Sequence, residues 1–224
     1  MKFLLLAALL ALPAGRVGGA ASSSQVSRVT LNAELIEAAG RGDAGAVRAL
    51  LARGASPGAR RADGRTALTA AALGDHVAVA RLLVDAGADP DPQDQARNNA
   101  LLVTGETGSV AMLREVLRAG PDLTRTNRFG GTALIPAADR GHVEYVRELL
   151  KTGVNVDHVN NLGWTALLEA VLLGDGGPRH TEIVRLLLAA GATSDLADRD
   201  GVTALEHARR RGYGGMVALL AAAH

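Results

Sequence analysis

Leucine recurs along this chain as Leu35, Leu68, Leu101, Leu134, Leu167 and Leu205, and glycine as Gly54, Gly87, Gly120, Gly153 and Gly191. In both series the step is 33 residues, except the last, which is 38. Two residue types sharing one period indicate a stack of similar small units, each leaning on its neighbours to bury an apolar face. One unit reads RTALTAAALGDHVAVARLLVDAGAD from Arg65, and another reads GTALIPAADRGHVEYVRELLKTGVN from Gly131. Each holds two short amphipathic stretches. The spacing of Val79, Leu82 and Leu83 puts one apolar face of the second stretch inward. Thr66, Asn99, Thr132, Thr165 and Thr203 each stand just before a first helix, where Thr and Asn cap free amides. The periodic glycines follow second helices, where the chain needs positive φ.

Composition sharpens this picture. Apolar residues make up 48% of the 224-residue chain and aromatics 2%, so the core must be Ala, Leu and Val in closely packed thin helices. Residues 1–21 differ: a basic start, a Leu/Ala run from Leu4 to Leu12, Pro13, then small residues up to Ala20-Ala21. This is the pattern of a signal peptide cut near Ala20 or Ala21, with an uncleaved anchor as the alternative. The run is shorter than the roughly 20 apolar residues of a membrane span, so no membrane insertion is expected after its removal. Lys2 and Lys151 are the only lysines, and with the heavy Ala and Gly content this suggests a GC-rich bacterial gene. Periplasmic localisation is the simplest expectation, with secretion as the alternative. The formal charge of +1 becomes −1 once Lys2 and Arg16 leave with residues 1–21. Dispersed, near-neutral charge gives no footprint for nucleic acid. The absence of cysteine excludes disulfides, thiolate metal sites and a cysteine nucleophile.

The repeated residues resemble those of the ankyrin repeat family. Thr66-Ala67-Leu68, Ala71-Ala72, His76, Leu82-Leu83 and Gly87-Ala88-Asp89 follow its pattern, and Gly141-His142 and Gly201-x-Thr203 match likewise. The resemblance implies an all-α solenoid of about six helix-turn-helix units with projecting β-hairpin fingers, binding another protein through a concave groove and the finger tips. Units are expected at about 31–63, 64–96, 97–129, 130–162, 163–200 and 201–224 after a linker at 22–30, the first and last acting as caps. The family's start-motif proline is Ala in every full unit, and its histidine is Thr69, Leu102, Ile135, Leu168 or Glu206. Unit three is the least regular, with Ser109 at the histidine position and Arg97 at the finger glycine. The five extra residues of unit five fall within 174–179 and are expected in a loop joining its two helices.

Catalytic and metal chemistry finds little footing. His76, His142 and His180 share one position in units two, four and five, which puts them about ten ångströms or more apart, too far for a shared metal. The Gly174–His180 loop precedes a helix and could offer amides to a phosphate, though it lacks the P-loop lysine and hydroxyl. A small-ligand receptor or enzyme using this loop is the alternative function. Asp195, Asp198 and Asp200 miss the ligand spacing of a calcium loop. No cofactor and no catalytic residue are expected.

Carried over from the resemblance, the partner-facing positions are the finger tips and the exposed ends of first helices. Phe129 and Leu162 then neighbour each other on adjacent fingers, beside Asn161, the sole tryptophan Trp164, and Leu172 and Leu173. Arg128, Asp139, Arg140, Arg210 and Arg211 would form a polar rim. Aromatic anchors within an arginine rim are the composition of binding hot spots. Packing of Trp164 on the next finger, and of the leucine pair over the insertion, are the structural alternatives. The expected function is a monomeric, non-catalytic interaction scaffold of the bacterial envelope, or a secreted effector that binds a host protein.

Overall fold

The computed structural model describes residues 19–223, with side chains from Ser27 onward. Among them are twelve α-helices: α1 (Gly19–Gly40), α2 (Ala44–Ala52), α3 (Ala67–Leu73), α4 (Val77–Asp85), α5 (Ala100–Thr107), α6 (Val110–Arg118), α7 (Leu134–Asp139), α8 (Val143–Leu149), α9 (Ala166–Leu172), α10 (Pro178–Ala189), α11 (Ala204–Arg211) and α12 (Gly214–Ala222). Odd-numbered helices stack side by side in one layer and even-numbered helices in a second. The six periodic leucines all lie on the odd helices and are buried in one continuous core. The signal-peptide expectation falls mostly on residues outside those described. Residues 22–30, expected as a linker, continue helix α1.

Thr66, Asn99, Thr165 and Thr203 each accept the amide three residues on, and Thr203 completes a capping box with Glu206. Thr132 does not. Pro136 has no N–H to give Thr132 the first helical hydrogen bond, so the Ile135 amide goes to the Thr132 carbonyl instead. The Thr132 hydroxyl is left buried without a partner. The five periodic glycines all have φ between +70° and +89°, and a Cβ at any of them would meet open space. Their role is therefore conformational.

The fingers differ from the expected β-hairpins. No strand forms among the described residues; isolated antiparallel bridges occur at Arg60–Thr66 and Ala197–Thr203. Four of the five fingers are instead tight turns tied by a side chain, and the first is closed by a main-chain bond from the Arg61 N–H to the Arg65 carbonyl. Oδ1 of Asp94, Asn127, Asn160 and Asp198 accepts the amides two and four residues later. These bonds occupy the turn amides and leave no length for a ladder. Neighbouring fingers are joined by main-chain bonds, from Gln95 N–H to the Asp63 carbonyl and from Asn161 N–H to the Phe129 carbonyl. Unit three is built as regularly as the others. Ser109 caps α6, and Arg97 takes the positive φ that glycine holds elsewhere.

The insertion in unit five also departs from expectation. Two of the five extra residues lengthen the loop, and three extend α10 by most of a turn, with Pro178 at its first position. The loop is anchored by the Tyr213 hydroxyl on the Gly174 carbonyl.

A ladder of ion pairs crosses the even-helix layer and absorbs most of its arginines. Arg81 and Arg118 meet Glu115, Arg114 and Lys151 meet Glu148, and Arg147 and Arg185 meet Glu182. Hydrogen bonds from Arg185 and Arg147 hold the Glu182 carboxyl down at about 2.

Candidate functional site

The three repeated histidines act as rungs between units. Nε2 of His76, His142 and His180 bonds the carbonyl of Gly40, Glu106 and Asp139, at the end of the preceding first helix. No cluster that could hold a metal ion is present among the described residues. No helix among them is long and apolar enough to cross a membrane.

The Gly174–His180 loop is not arranged as a phosphate cradle. The Asp175 carboxylate already accepts the Gly177 amide and bonds His180 Nδ1, placing a negative charge at the mouth of α10. The adjoining hollow is open, walled by Pro178, Thr181, Gly215, Ala218 and Leu219. Its two charged side chains, Glu182 and Arg185, are paired with each other.

A groove runs between the fingers and the exposed ends of the odd helices in units three to five. Its walls include Phe129, Leu162 and Leu173, which are 55%, 51% and 50% exposed, with Ile135 and Pro136 at its base. Glu106, Asp139, Arg140 and Glu169 line the same space. Phe129 also borders a second depression, shared with Leu73, Val103 and Arg128. The Arg128 guanidinium lies 4.7 Å from the centre of the Phe129 ring, a cation–π distance. The finger bonds explain why these apolar groups stay outward. The Phe129 and Leu162 amides are held by Asn127 and Asn160, which fixes both side chains at the tips.

Of the residues singled out in the sequence, Phe129, Asp139, Arg140, Leu162 and Leu173 meet in this groove, and Arg128 adjoins it. Asn161 fastens finger to finger. Trp164 and Leu172 are partly buried against the core and do not line the groove. Trp164 follows the turn glycine and stands at the foot of its finger, beside the cap Thr165. Arg210 and Arg211 are exposed on α11, away from the groove lining. The rim is also less cationic than expected, because Arg140 pairs with Glu106 at 2.6 Å.

Glu169 joins the groove without being among the residues that the sequence singles out. It is 7% exposed and bonds the Asn160 amide through Oε1 at 2.7 Å. Burial pushes its carboxyl up to about 7, aided by the nearby Asp139 and Glu106 charges and opposed by the Asn160 hydrogen bond. The register offered a signal: the matching positions one, two and three units earlier are Pro136, Val103 and Ala70. A carboxylate in a column of apolar residues calls for a reason. Unit six repeats the device with other chemistry, His207 bonding the finger's Asp198 at 2.7 Å.

Comparison with known proteins agrees with this architecture. The family described as ankyrin repeats (3 copies) matches residues 35–127 and 101–193. The chain belongs to the ankyrin repeat family. No curated protein matches it. Among solved structures it is similar to an ankyrin repeat domain from Acinetobacter baumannii AYE, at 49% identity over 84% of this chain and 96% of that one, with a TM-score of 0.82. The ankyrin repeat protein EF0377 is 36% identical over 85% of this chain and 97% of its own, with a TM-score of 0.81. The ankyrin repeat domain of Bcl-3, a member of the IκB protein family, is 29% identical over 85% of both chains, with a TM-score of 0.75. Ankyrin repeats generally mediate protein–protein interactions, and their domains are typically non-catalytic.

Proposed function

We propose that this protein is a non-catalytic scaffold of the bacterial envelope, exported to the periplasm, that holds a partner protein in the groove of units three to five. The observation that carries the reading is the half-exposed trio Phe129, Leu162 and Leu173, fixed outward on adjoining units. Three large apolar side chains presented together on rigid elements are a surface that gains by being covered. Burying them would supply most of the affinity, at about 25 cal/mol per Å².

The test is capture from an envelope extract of the native host, using the wild-type chain and the Phe129→Ala/Leu162→Ala variant as parallel baits. The variant changes exposed positions, so circular dichroism should show an unchanged fold. Proteins retained by wild type and lost by the variant support the reading. Equal retention by both baits moves the interface elsewhere and contradicts it.

A further inference from the structure

The groove combines apolar walls with carboxylates that lack a cation. Among the described residues, Arg140 is engaged by Glu106, and no arginine, lysine or histidine pairs with the side chain of Asp139 or Glu169. Glu169 is nine-tenths buried, lines the groove and uses one oxygen on Asn160; its second oxygen has no partner among these residues. The charged groups on the surrounding elements leave the deficit in place. Helix α5 brings Glu106, and α7 ends on Asp139 with Arg140 directly after it. On α10, His180 is bound to the Asp139 carbonyl and to Asp175, and Arg179 is exposed. On α11, His207 is held by Asp198, and Arg210 stands near Glu206. Arg128 borders the other depression, on the Phe129 ring.

Resting on the reading of this groove as a docking surface, we propose that it recognises a basic side chain of the partner protein. The aliphatic stem of an arginine or lysine lies along Phe129, Leu162 and Leu173, and its cationic head meets Asp139 and Glu169. Long basic side chains suit such a site because they are apolar for most of their length and charged at the tip. Complementary charge fixes which segment docks, and the apolar walls hold it. Binding draws Glu169 into its ionised form, since a nearby cation favours the carboxylate.

The test is selection of short displayed random peptides on the full chain, followed by titration of the selected peptides against wild type, Phe129→Ala and Asp139→Asn/Glu169→Gln. The carboxamides keep the shape of the groove and the acceptor for Asn160. Selected peptides should carry Arg or Lys beside Leu, Ile or Phe, and should bind the Asp139→Asn/Glu169→Gln variant at least about tenfold more weakly. For a histidine-free peptide with blocked ends, affinity for wild type should fall about tenfold from pH 8 to pH 6, as the free carboxyl takes up its proton. Peptides that need Phe129 but carry no basic residue, or that ignore the carboxamide variant and the pH, overturn the basic-residue proposal and leave the docking surface standing. A selection that yields no peptide sensitive to Phe129→Ala overturns both.

Discussion

Replacing Glu169 by Gln should make the protein more stable, and only above the acid range. In the fold this carboxyl is raised from 4.5 to about 7, with burial as the largest cause. Between those two values the unfolded chain has released its proton while the folded chain still holds it, so stability falls as pH rises from about 4.5 to 7. Above 7 both states are ionised and the penalty is constant. At roughly 1.36 kcal/mol per pH unit, the full penalty is about 3 kcal/mol. A glutamine does not titrate, and its side-chain oxygen can still accept the hydrogen bond that Glu169 takes from Asn160. The stability difference between variant and wild type should therefore be near zero at pH 4 and approach about 3 kcal/mol at pH 8. Urea unfolding followed by helical circular dichroism at pH 4, 6 and 8 measures it, and comparing the two proteins at each pH cancels the other carboxylates. A pH-independent difference, or a variant less stable than wild type at pH 8, would show that the buried carboxyl carries no such penalty.

The unpartnered Thr132 hydroxyl gives a paired test: Thr132→Val should be neutral or slightly stabilising, whereas Thr165→Val should lose about 1 kcal/mol with its cap, both read as denaturation midpoints. Gly105→Ala should destabilise by about 1–3 kcal/mol, because its new Cβ would lie 2.3 Å from the Ala133 carbonyl oxygen between α5 and α7. Gly54→Ala has open space around it and should lose only about 1 kcal/mol, from its positive φ alone; equal thermal shifts for the two glycines would contradict the packing account. Glu115→Gln removes the negative charge facing Arg81 and Arg118 and leaves them one acceptor oxygen in place of two; it should destabilise by about 1–2 kcal/mol at low salt, less at 1 M salt, where ion pairs are screened within about 3 Å.

The repeat made most of the fold legible in the sequence. Period alone places the buried leucines and the positive-φ glycines, and capping chemistry places four of five helix starts. The fifth fails because Pro136, read only as part of a pattern, removes the amide on which the Thr132 cap geometry depends. The fingers were legible in position and expected as β-hairpins, not as turns tied by Asp94, Asn127, Asn160 and Asp198, although those residues keep the period of the repeat. The site was half legible. Exposure at finger tips follows from register, which brings Phe129, Leu162 and Leu173 together. Trp164 could not be placed by type alone, since a large ring at the foot of a finger has the core within reach. Glu169 was hidden by the opposite bias, because a carboxylate in a helix is ordinarily read as a solvated face.

If the finger side of units three to five faces a protein partner, that partner lies within reach of Phe129 and Leu162. Site-specific photo-crosslinking in the native host tests it directly, with a photoreactive residue placed at Phe129 or Leu162, and at the exposed Ala111 and Ala189 on the even-helix layer as controls. One discrete crosslinked protein should form from the two groove positions and none from the controls. Crosslinks from the controls alone, or from neither set, would contradict a partner on the finger side.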